Sequence, residues 1–283
     1  MDNLTRLSFD TCEEARTYQL ANEKQFVNLW LWRESLGNRP DPFSLSGVCD
    51  VCECLTLFNA TPQKMPEGDQ FLFRVNWWSA VTCGCGKSSL DRNVMRNILD
   101  LIKISSRIYH VGYHSSFRKW LSEKMPNVIG AQYEPDRTPG EVVDGIRYED
   151  LTNLSFLDGE LDCIVCMEVM EHIPDYLAGF REMARTLKPG GCAVLTFPWL
   201  GRDTYDHLIR AEMESDGSIT HILPPEYHGD PASKLGILSF RAFGWRVLDE
   251  LREAGFSKAS ANFLFGPFHG HFSAQNPVIV AVR

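Results

Sequence analysis

Apolar positions along this chain fall into short unbroken runs and into helical stripes, and the two alternate. Leu161 to Met167 is an apolar run of strand length, as expected for a strand covered on both faces. Tyr176, Phe180, Met183 and Leu187 follow at helical spacing, one stripe on one helix face. Lys188-Pro189-Gly190-Gly191 then ends the helix, and Cys192 to Trp199 reads as a second buried strand. Strand, helix and strand over this length predict a parallel crossover unit. The same alternation precedes it. Ser105 to His110 reads as a strand, Ser115 caps a helix whose Phe117, Trp120 and Leu121 face inward, and strands follow at 127–133 and 146–151. After it, 240–254 reads as a helix with Phe243, Val247 and Leu251 on one face, ended by Gly255, and 259–264 and 278–282 read as strands.

The first hundred residues are patterned differently. Residues 11–36 read as one helix, with Thr11 and Glu14 at capping-box spacing and Gly37, Asn38 and Pro40 as the stop. Its apolar side chains are scattered, which suits either packing on a core domain or a lid over a pocket. Ser88 to Ile102 reads as a helix with Leu90, Val94, Ile98 and Leu101 in a stripe. Between them lie Cys49-x-x-Cys52-x-Cys54 and Cys83-x-Cys85, two close sets separated by a strand-like stretch. Two such turns suit tetrahedral zinc, with Cys49, Cys52, Cys83 and Cys85 as ligands and Cys54 as the alternate. Buried free thiols are the other reading. The expected divisions are a helical segment 1–45, a cysteine-rich module with its linking helix 46–98, and an α/β domain 99–283 carrying an insertion at 201–239.

Composition narrows the picture modestly. The chain has 283 residues, enough for a core domain and an appendage, with 44% apolar and 23% charged residues. Lys and Arg number 28 against 37 Asp and Glu, a net charge of −9, which argues against a nucleic-acid partner. The N-terminal stretch lacks a basic region followed by an apolar core, and no apolar run approaches membrane-span length, so a cytoplasmic location is expected. Nine cysteines is an odd count, and Cys163, Cys166 and Cys192 fall in buried strands as small core residues.

The chemistry-bearing side chains crowd one place. Glu168, Glu171, His172 and Asp175 lie where the chain leaves the 161–167 strand, the carboxyl end at which open α/β sheets bind ligands. His172 has a pKa suited to proton transfer near neutrality, or else orders the loop. The insertion 201–239 is dense in hydrogen-bonding side chains, among them Tyr205, His207, His221, Tyr227 and His228. It reads as a substrate cap, with His221 and His228 as candidate bases beside Tyr227.

These residues also carry a family resemblance. The blocks LDCIVCMEVMEHIPD, EMARTLKPGG and TFP, and downstream PPEYHGDP with LSFRAFGWRVLDELREAGF, resemble class I S-adenosylmethionine (SAM) methyltransferases of the EH(V/I)PD…LKPGG subgroup. The resemblance covers 105–283. It implies a Rossmann-like, doubly wound sheet of seven strands with an antiparallel strand near the end. It also implies SAM as cofactor and methyl transfer to a small molecule. By position it places the first glycine motif at Gly112, Tyr113 and His114, where only one glycine stands and small residues are usual. It places the ribose contact at Gln132, with Tyr133 and Glu134 following, the adenine contacts at Asp150 and Leu151, and the pocket floor at Met167 and Glu168. Two other readings suit the altered glycine motif: SAM used for cyclisation or aminocarboxypropyl transfer, and a binding protein that has lost the cofactor. The expected partner is a small-molecule substrate, with neither nucleic acid nor membrane, and a homodimer as the candidate assembly. Structural zinc joins SAM as the second expected cofactor.

Overall fold

The computed structural model describes residues 4–67, 70–201, 203–230, 233–273 and 275–283. Chain contacts divide it into two units. One comprises 1–97 with 262–277, the other 98–261 with 278–283. Helix Ser89–Leu101 carries the chain from the first into the second. Among the described residues no helix is long and apolar enough to cross a membrane, which says nothing of strands.

The second unit is built on a mixed sheet. Its strands are β1 (Ile108–Val111), β2 (Val128–Gln132), β3 (Val142–Val143), β4 (Ile146–Tyr148), β5 (Leu161–Met167), β6 (Leu187–Thr196), β7 (Lys258–Phe265, which leaves the unit after Ala261) and β8 (Val278–Val282). Eight strands of the sheet therefore lie wholly or partly here, in the order β7-β8-β6-β5-β1-β2-β4-β3. β5 runs parallel to both β6 and β1, β1 parallel to β2, and β2 parallel to β4. β8 is antiparallel to β6, as the resemblance implies. The expectation of seven strands fails at the edge. Asp144 and Gly145 both take positive φ (50° and 78°), the twist of a tight hairpin turn, and fold β3 back on β4. That Asp-Gly pair is a hairpin signal the hydrophobic pattern does not carry.

Helices cover the sheet. α1 (Ser116–Lys124) is capped by Ser115, whose hydroxyl accepts from the N–H groups of Phe117 and Arg118, and buries Phe117, Trp120 and Leu121. α2 (Tyr176–Thr186) is capped by Asp175 and buries Phe180 and Met183. α3 is shorter than the stripe predicts, Arg246–Glu253 instead of 240–254. Its expected first turn is extended, because Arg241–Ala242 pairs with Leu208–Ile209 of the insertion. The core centres on β5 and β6. Leu161, Cys163, Ile164, Val165, Cys166, Val194 and Leu195 are wholly buried, and Cys163 and Cys192 face each other in register as free thiols. Burying each such side chain contributes roughly 1.5–3 kcal/mol.

The first unit holds a sheet of Phe43–Cys49, Cys54–Ala60 and Val81–Thr82, and a hairpin of Gln63–Glu67 with Gln70–Arg74. The single helix expected over 11–36 is two, Cys12–Ala21 and Glu23–Gly37, broken at Asn22, whose side chain donates to the carbonyl of Tyr18. The returning segment 262–277 belongs to this unit's core. Phe272 packs edge-on to Phe58 and against Trp77, with centroids 5.4 and 5.8 Å apart. Arg92 is fully buried, donating to the carbonyls of Gly270 and Lys87 beneath the Phe58 ring. Gly270 and Phe272 of this segment thus pack on the cysteine module.

His110 sits in the middle of the second unit's core on β1, 1% exposed and stacked on Phe117. Burial pushes its imidazole down to about 4, against a smaller upward pull from the backbone at Gly112. The unfolded chain binds this proton more readily than the folded one. Stability from this group is therefore complete above roughly pH 6.5 and is lost progressively as pH falls toward 4, a loss of about 3 kcal/mol. Urea unfolding at pH 7 and pH 4.5 should give this fall in wild type and a smaller one in His110→Leu. Equal falls in the two proteins would remove the assignment.

Candidate active site

Four parallel strands end side by side, and the residues that leave them are those singled out in the sequence. Gly112 follows β1, Gln132 ends β2, Glu149 and Asp150 follow β4, and Met167 ends β5. Gly112 has φ +97° with open space where a side chain would begin, so the backbone turns there in a way that favours glycine. Tyr113 and His114 stack edge-on just beyond it. The Arg118 guanidinium lies over the Tyr113 ring at 4.6 Å, and its Nε donates to the Tyr113 carbonyl. Arg118 reaches that position by crossing Gly130 of β2, where a Cβ would collide with its Cδ. The altered glycine motif is therefore a held structure, with one arginine pinning the aromatic residue at the place where small residues are usual.

The neighbouring exits differ in how free their polar groups are. Gln132 is half-buried. Glu134 is 52% exposed on its side chain and paired with Arg137 at 3.2 Å. Asp150 is half-buried, and one carboxylate oxygen accepts from the N–H and hydroxyl of Thr152. The Asp150 charge and partial burial both raise the Tyr133 hydroxyl, burial being the larger cause. Leu151 is buried. Glu149 is 4% exposed and entirely occupied, holding Arg147 at 2.7 Å and both the N–H and hydroxyl of Ser155. It fixes the loop that presents Asp150, a supporting role that residue type alone does not disclose.

Beyond β5 the backbone is strained. Glu168 has φ +52°, an uncommon conformation for a side chain of that size, and such strain gathers at functional sites. Burial, then the nearby Glu171 carboxylate, push the Glu168 carboxyl up to about 7. A single 3-10 turn, Met170–His172, follows and buries Glu171 completely. Neither carboxylate oxygen of Glu171 has a hydrogen-bond partner among the described residues. Its Oε1 lies 3.6 Å from His172 Nε2 and 3.4 Å from His228 Nδ1. The two imidazoles stand nearly perpendicular with centroids 5.0 Å apart. The Glu171 carboxylate, with burial opposing and Glu226 adding, pushes His228 up to about 9.

The insertion brings His228 to this place. Its described part is a set of short hairpins, Ala211–Met213 with Ile219–His221 and Tyr227–Asp230 with Ser233–Leu238. The second hairpin clamps the 170–174 loop. His172 Nδ1 meets the Leu238 carbonyl at 2.8 Å, the Phe240 N–H donates to the Glu171 carbonyl at 2.8 Å, and Arg241 donates to the carbonyls of Ile173 and Pro174. Of the four residues considered for proton chemistry, the structure joins His172 and His228. His221 is exposed on the other hairpin, and Tyr227, beside His228, is 56% exposed. Sequence reading names Glu171 only as one acid in a crowd, and its isolation depends on a hairpin more than fifty residues away.

A separate cluster lies in the first unit. The Sγ atoms of Cys49, Cys52 and Cys83 lie within 4.8 Å of one another. The Cys52 N–H donates to Cys49 Sγ at 3.4 Å. Burial pushes the Cys49 thiol up to about 11 and also raises Cys52, with the Cys85 thiol hydrogen-bonded to Cys52 adding to the rise. Burial acts the same way on Cys83 but is outweighed by bonds from the Cys85 backbone and Thr56, which draw Cys83 below the usual thiol value. Cys85 and Cys54 are both exposed, and Cys54 is bound up in strand pairing opposite Cys49. Three sulfur atoms this close, from two separate turns, could hold a metal ion.

Residues 81–195 match a protein family described as a methyltransferase domain. An uncharacterized methyltransferase from Mycobacterium sp. (strain JLS) is 45% identical over 51 residues, 18% of this chain and 20% of its own. A 2-methyl-6-phytyl-1,4-hydroquinone methyltransferase from Synechocystis sp. is 33% identical over 84 residues, 27% of this chain and 26% of its own. The chain thus spans about a fifth to a quarter of the length of these curated relatives. A solved structure, an S-adenosylmethionine dependent methyltransferase from Mesorhizobium loti, is similar over 65% of this chain and 94% of that one, at 17% identity and a TM-score of 0.41. The family match takes in the strand exits at Gly112, Gln132, Asp150 and Met167 together with Glu171 and His172, so over 81–195 the chain is similar to a methyltransferase domain.

Proposed function

We propose that the chain transfers the methyl group of SAM to a small-molecule acceptor held under the 201–239 insertion. The observation that carries this reading is the line of strand exits within a matched methyltransferase domain, together with a strained, buried acid–imidazole cluster whose Glu171 and His172 lie in that match. SAM supplies an electrophilic methyl on a sulfonium, displaced in line. The turn at Gly112 and Tyr113 suits the methionine end, Gln132 the ribose, and Asp150 with Leu151 the adenine, while Met167 and Glu168 floor the pocket. An amide donates and accepts toward a ribose hydroxyl, and Asp150 retains one oxygen beyond its turn contact. The protein's main tasks are to hold the acceptor near attack geometry and to dispose of its proton. Acceptor deprotonation is placed at Glu171, His172 and His228. The Synechocystis relative, named for a hydroquinone, supports a small organic acceptor.

Calorimetric titration with SAM tests the pocket. Gln132→Ala and Asp150→Ala should each weaken binding by roughly 1–3 kcal/mol, the cost of stranding a buried partner. Glu134→Ala should leave affinity unchanged, since that carboxylate serves Arg137. Absence of SAM binding by the wild type would refute methyl transfer outright and leave a binding protein. His228→Ala should cut turnover about 10²–10⁴-fold with SAM affinity retained. Full turnover in that variant would move the chemistry elsewhere.

We further propose structural zinc on Cys49, Cys52, Cys83 and Cys85. Four thiolates leave no open position, so this ion holds the fold and takes no part in catalysis. Elemental analysis of the purified chain should find zinc, and Cys83→Ser should lose it together with several degrees of melting temperature, because binding is coupled to folding. Metal-free wild type of unchanged stability would dismiss the site.

A further inference from the structure

We infer that Glu171, His172 and His228 bind a divalent transition-metal ion, a second metal site distinct from the cysteine cluster. The argument begins with protons. A backbone carbonyl only accepts, so His172 Nδ1, 2.8 Å from the Leu238 oxygen, carries the hydrogen. Its Nε2 then presents a lone pair, and that atom faces Glu171 Oε1 at 3.6 Å. His228 is arranged in the same way with its nitrogens exchanged. Nε2 donates to Glu226 at 3.1 Å, and Nδ1 faces Glu171 at 3.4 Å, so a cation that displaces the Nδ1 proton would meet its lone pair there. Each ring is thus anchored by its outer nitrogen to a carbonyl or carboxylate, the arrangement that orients metal-bound histidines.

The two inner nitrogens and the carboxylate converge on one place, where a proton between His228 and Glu171 is the single positive charge among them. Glu171 is 0% exposed with both oxygens unpartnered among the described residues, and a buried carboxylate without donors is costly. One cation between the three groups would take the place of that proton and give the carboxylate oxygens a partner. The spacing suits it. The three ligand atoms lie within 4.8 Å of one another, and bonds of about 2.1 Å to a shared ion bring ligand atoms to roughly 3–3.5 Å apart after a small inward shift. Glu168, three residues before Glu171 on strained backbone, has its Oε1 buried and without a hydrogen-bond partner among the described residues, and would need to move inward to become a fourth ligand. Two imidazoles with one or two carboxylates suit manganese, iron, cobalt or zinc in preference to calcium. Three or four protein ligands leave a position open. If the methyl-transfer reading holds, that position would take the acceptor's hydroxyl oxygen and lower its pKa, the proton passing to water; the oxygen would then take the methyl as the carbon–sulfur bond of SAM breaks and S-adenosylhomocysteine leaves, so the acceptor is an alcohol or phenol and the product an ether.

Cobalt(II) titration of the chelator-stripped full chain tests the site without reference to activity. Thiolate-bound cobalt has intense near-ultraviolet charge-transfer absorption, and cobalt bound by nitrogen and oxygen does not. Wild type should take up one equivalent with no thiolate band. Glu171→Gln should weaken that equivalent by about 100-fold or more while leaving any thiolate-bound cobalt in place. His228→Ala lies on a partly exposed hairpin, and it decides the matter should Glu171→Gln fail to fold. No thiolate-free cobalt in wild type, or wild-type affinity in the folded variants, would overturn the inference. Calorimetry with SAM on the same samples separates the two readings. SAM binding without this metal sinks the metal site alone, and metal uptake without SAM binding sinks methyl transfer alone.

Discussion

The structure around the site answers to one constraint, a carboxylate at Glu171 that is wholly buried and receives no hydrogen bond among the described residues. Such a group is stable only if cations or imidazolium reach it, and the chain supplies imidazoles from two directions. His172 comes from the same short turn. His228 comes from a hairpin that must be folded and docked before its ring arrives. The docking is made by backbone groups, with Phe240 donating to Glu171 and Arg241 gripping the carbonyls of Ile173 and Pro174. Those carbonyls would otherwise be orphans of a 3-10 turn too short to satisfy them. The 201–239 insertion, with the residues that follow it, and the 170–174 loop therefore complete each other's hydrogen bonding.

The same logic accounts for the arginines. Arg118 pins Tyr113, Arg241 closes the 170–174 loop, and Arg92 ties the returning segment 262–277 to the cysteine module. Each guanidinium also lies over an aromatic ring. A planar, always-charged fork with several donors saturates carbonyls that irregular backbone leaves unpaired. This is how a chain whose glycine motif departs from the usual pattern can still hold a defined turn after β1.

What was legible in the sequence follows from the length scale of the forces. The β5–α2–β6 crossover could be read because burial on both faces writes itself as an unbroken apolar run, and the strand exits followed from it. The hairpins of 201–239 could not. Leu208–Ile209 is two residues long and Ile219–His221 is exposed throughout, so neither has enough residues to show a period. The first turn expected of α3 was lost for a related reason. Phe243 has helical spacing to Val247 and Leu251, but pairing of Arg241–Ala242 outweighs propensity there. Asn22 broke the N-terminal helix by bonding its side chain to the backbone, a local competition that apolar pattern ignores. The metal-like geometry of Cys49, Cys52 and Cys83 was readable because ligand spacing is itself a sequence property.

The limit of such reading is clearest in two glutamate–histidine contacts of the second unit. Glu250 and His207 are 5–6% exposed on their side chains and 2.8 Å apart. His207 Nδ1 accepts from the Gly244 N–H, while Glu250 also accepts from Tyr176 and meets Arg246 at 3.1 Å. Every partner there is accounted for, and the network has nothing left with which to bind a ligand. It is a strut that joins the insertion to α3. Glu171 and His228 consist of the same residue types, also far apart in sequence, but their inner atoms lie 3.4 Å apart and the carboxylate receives no well-formed hydrogen bond among the described residues. In sequence the two pairs are indistinguishable. In structure the difference is whether the polar groups are satisfied, and an unsatisfied buried acid marks where a third component belongs.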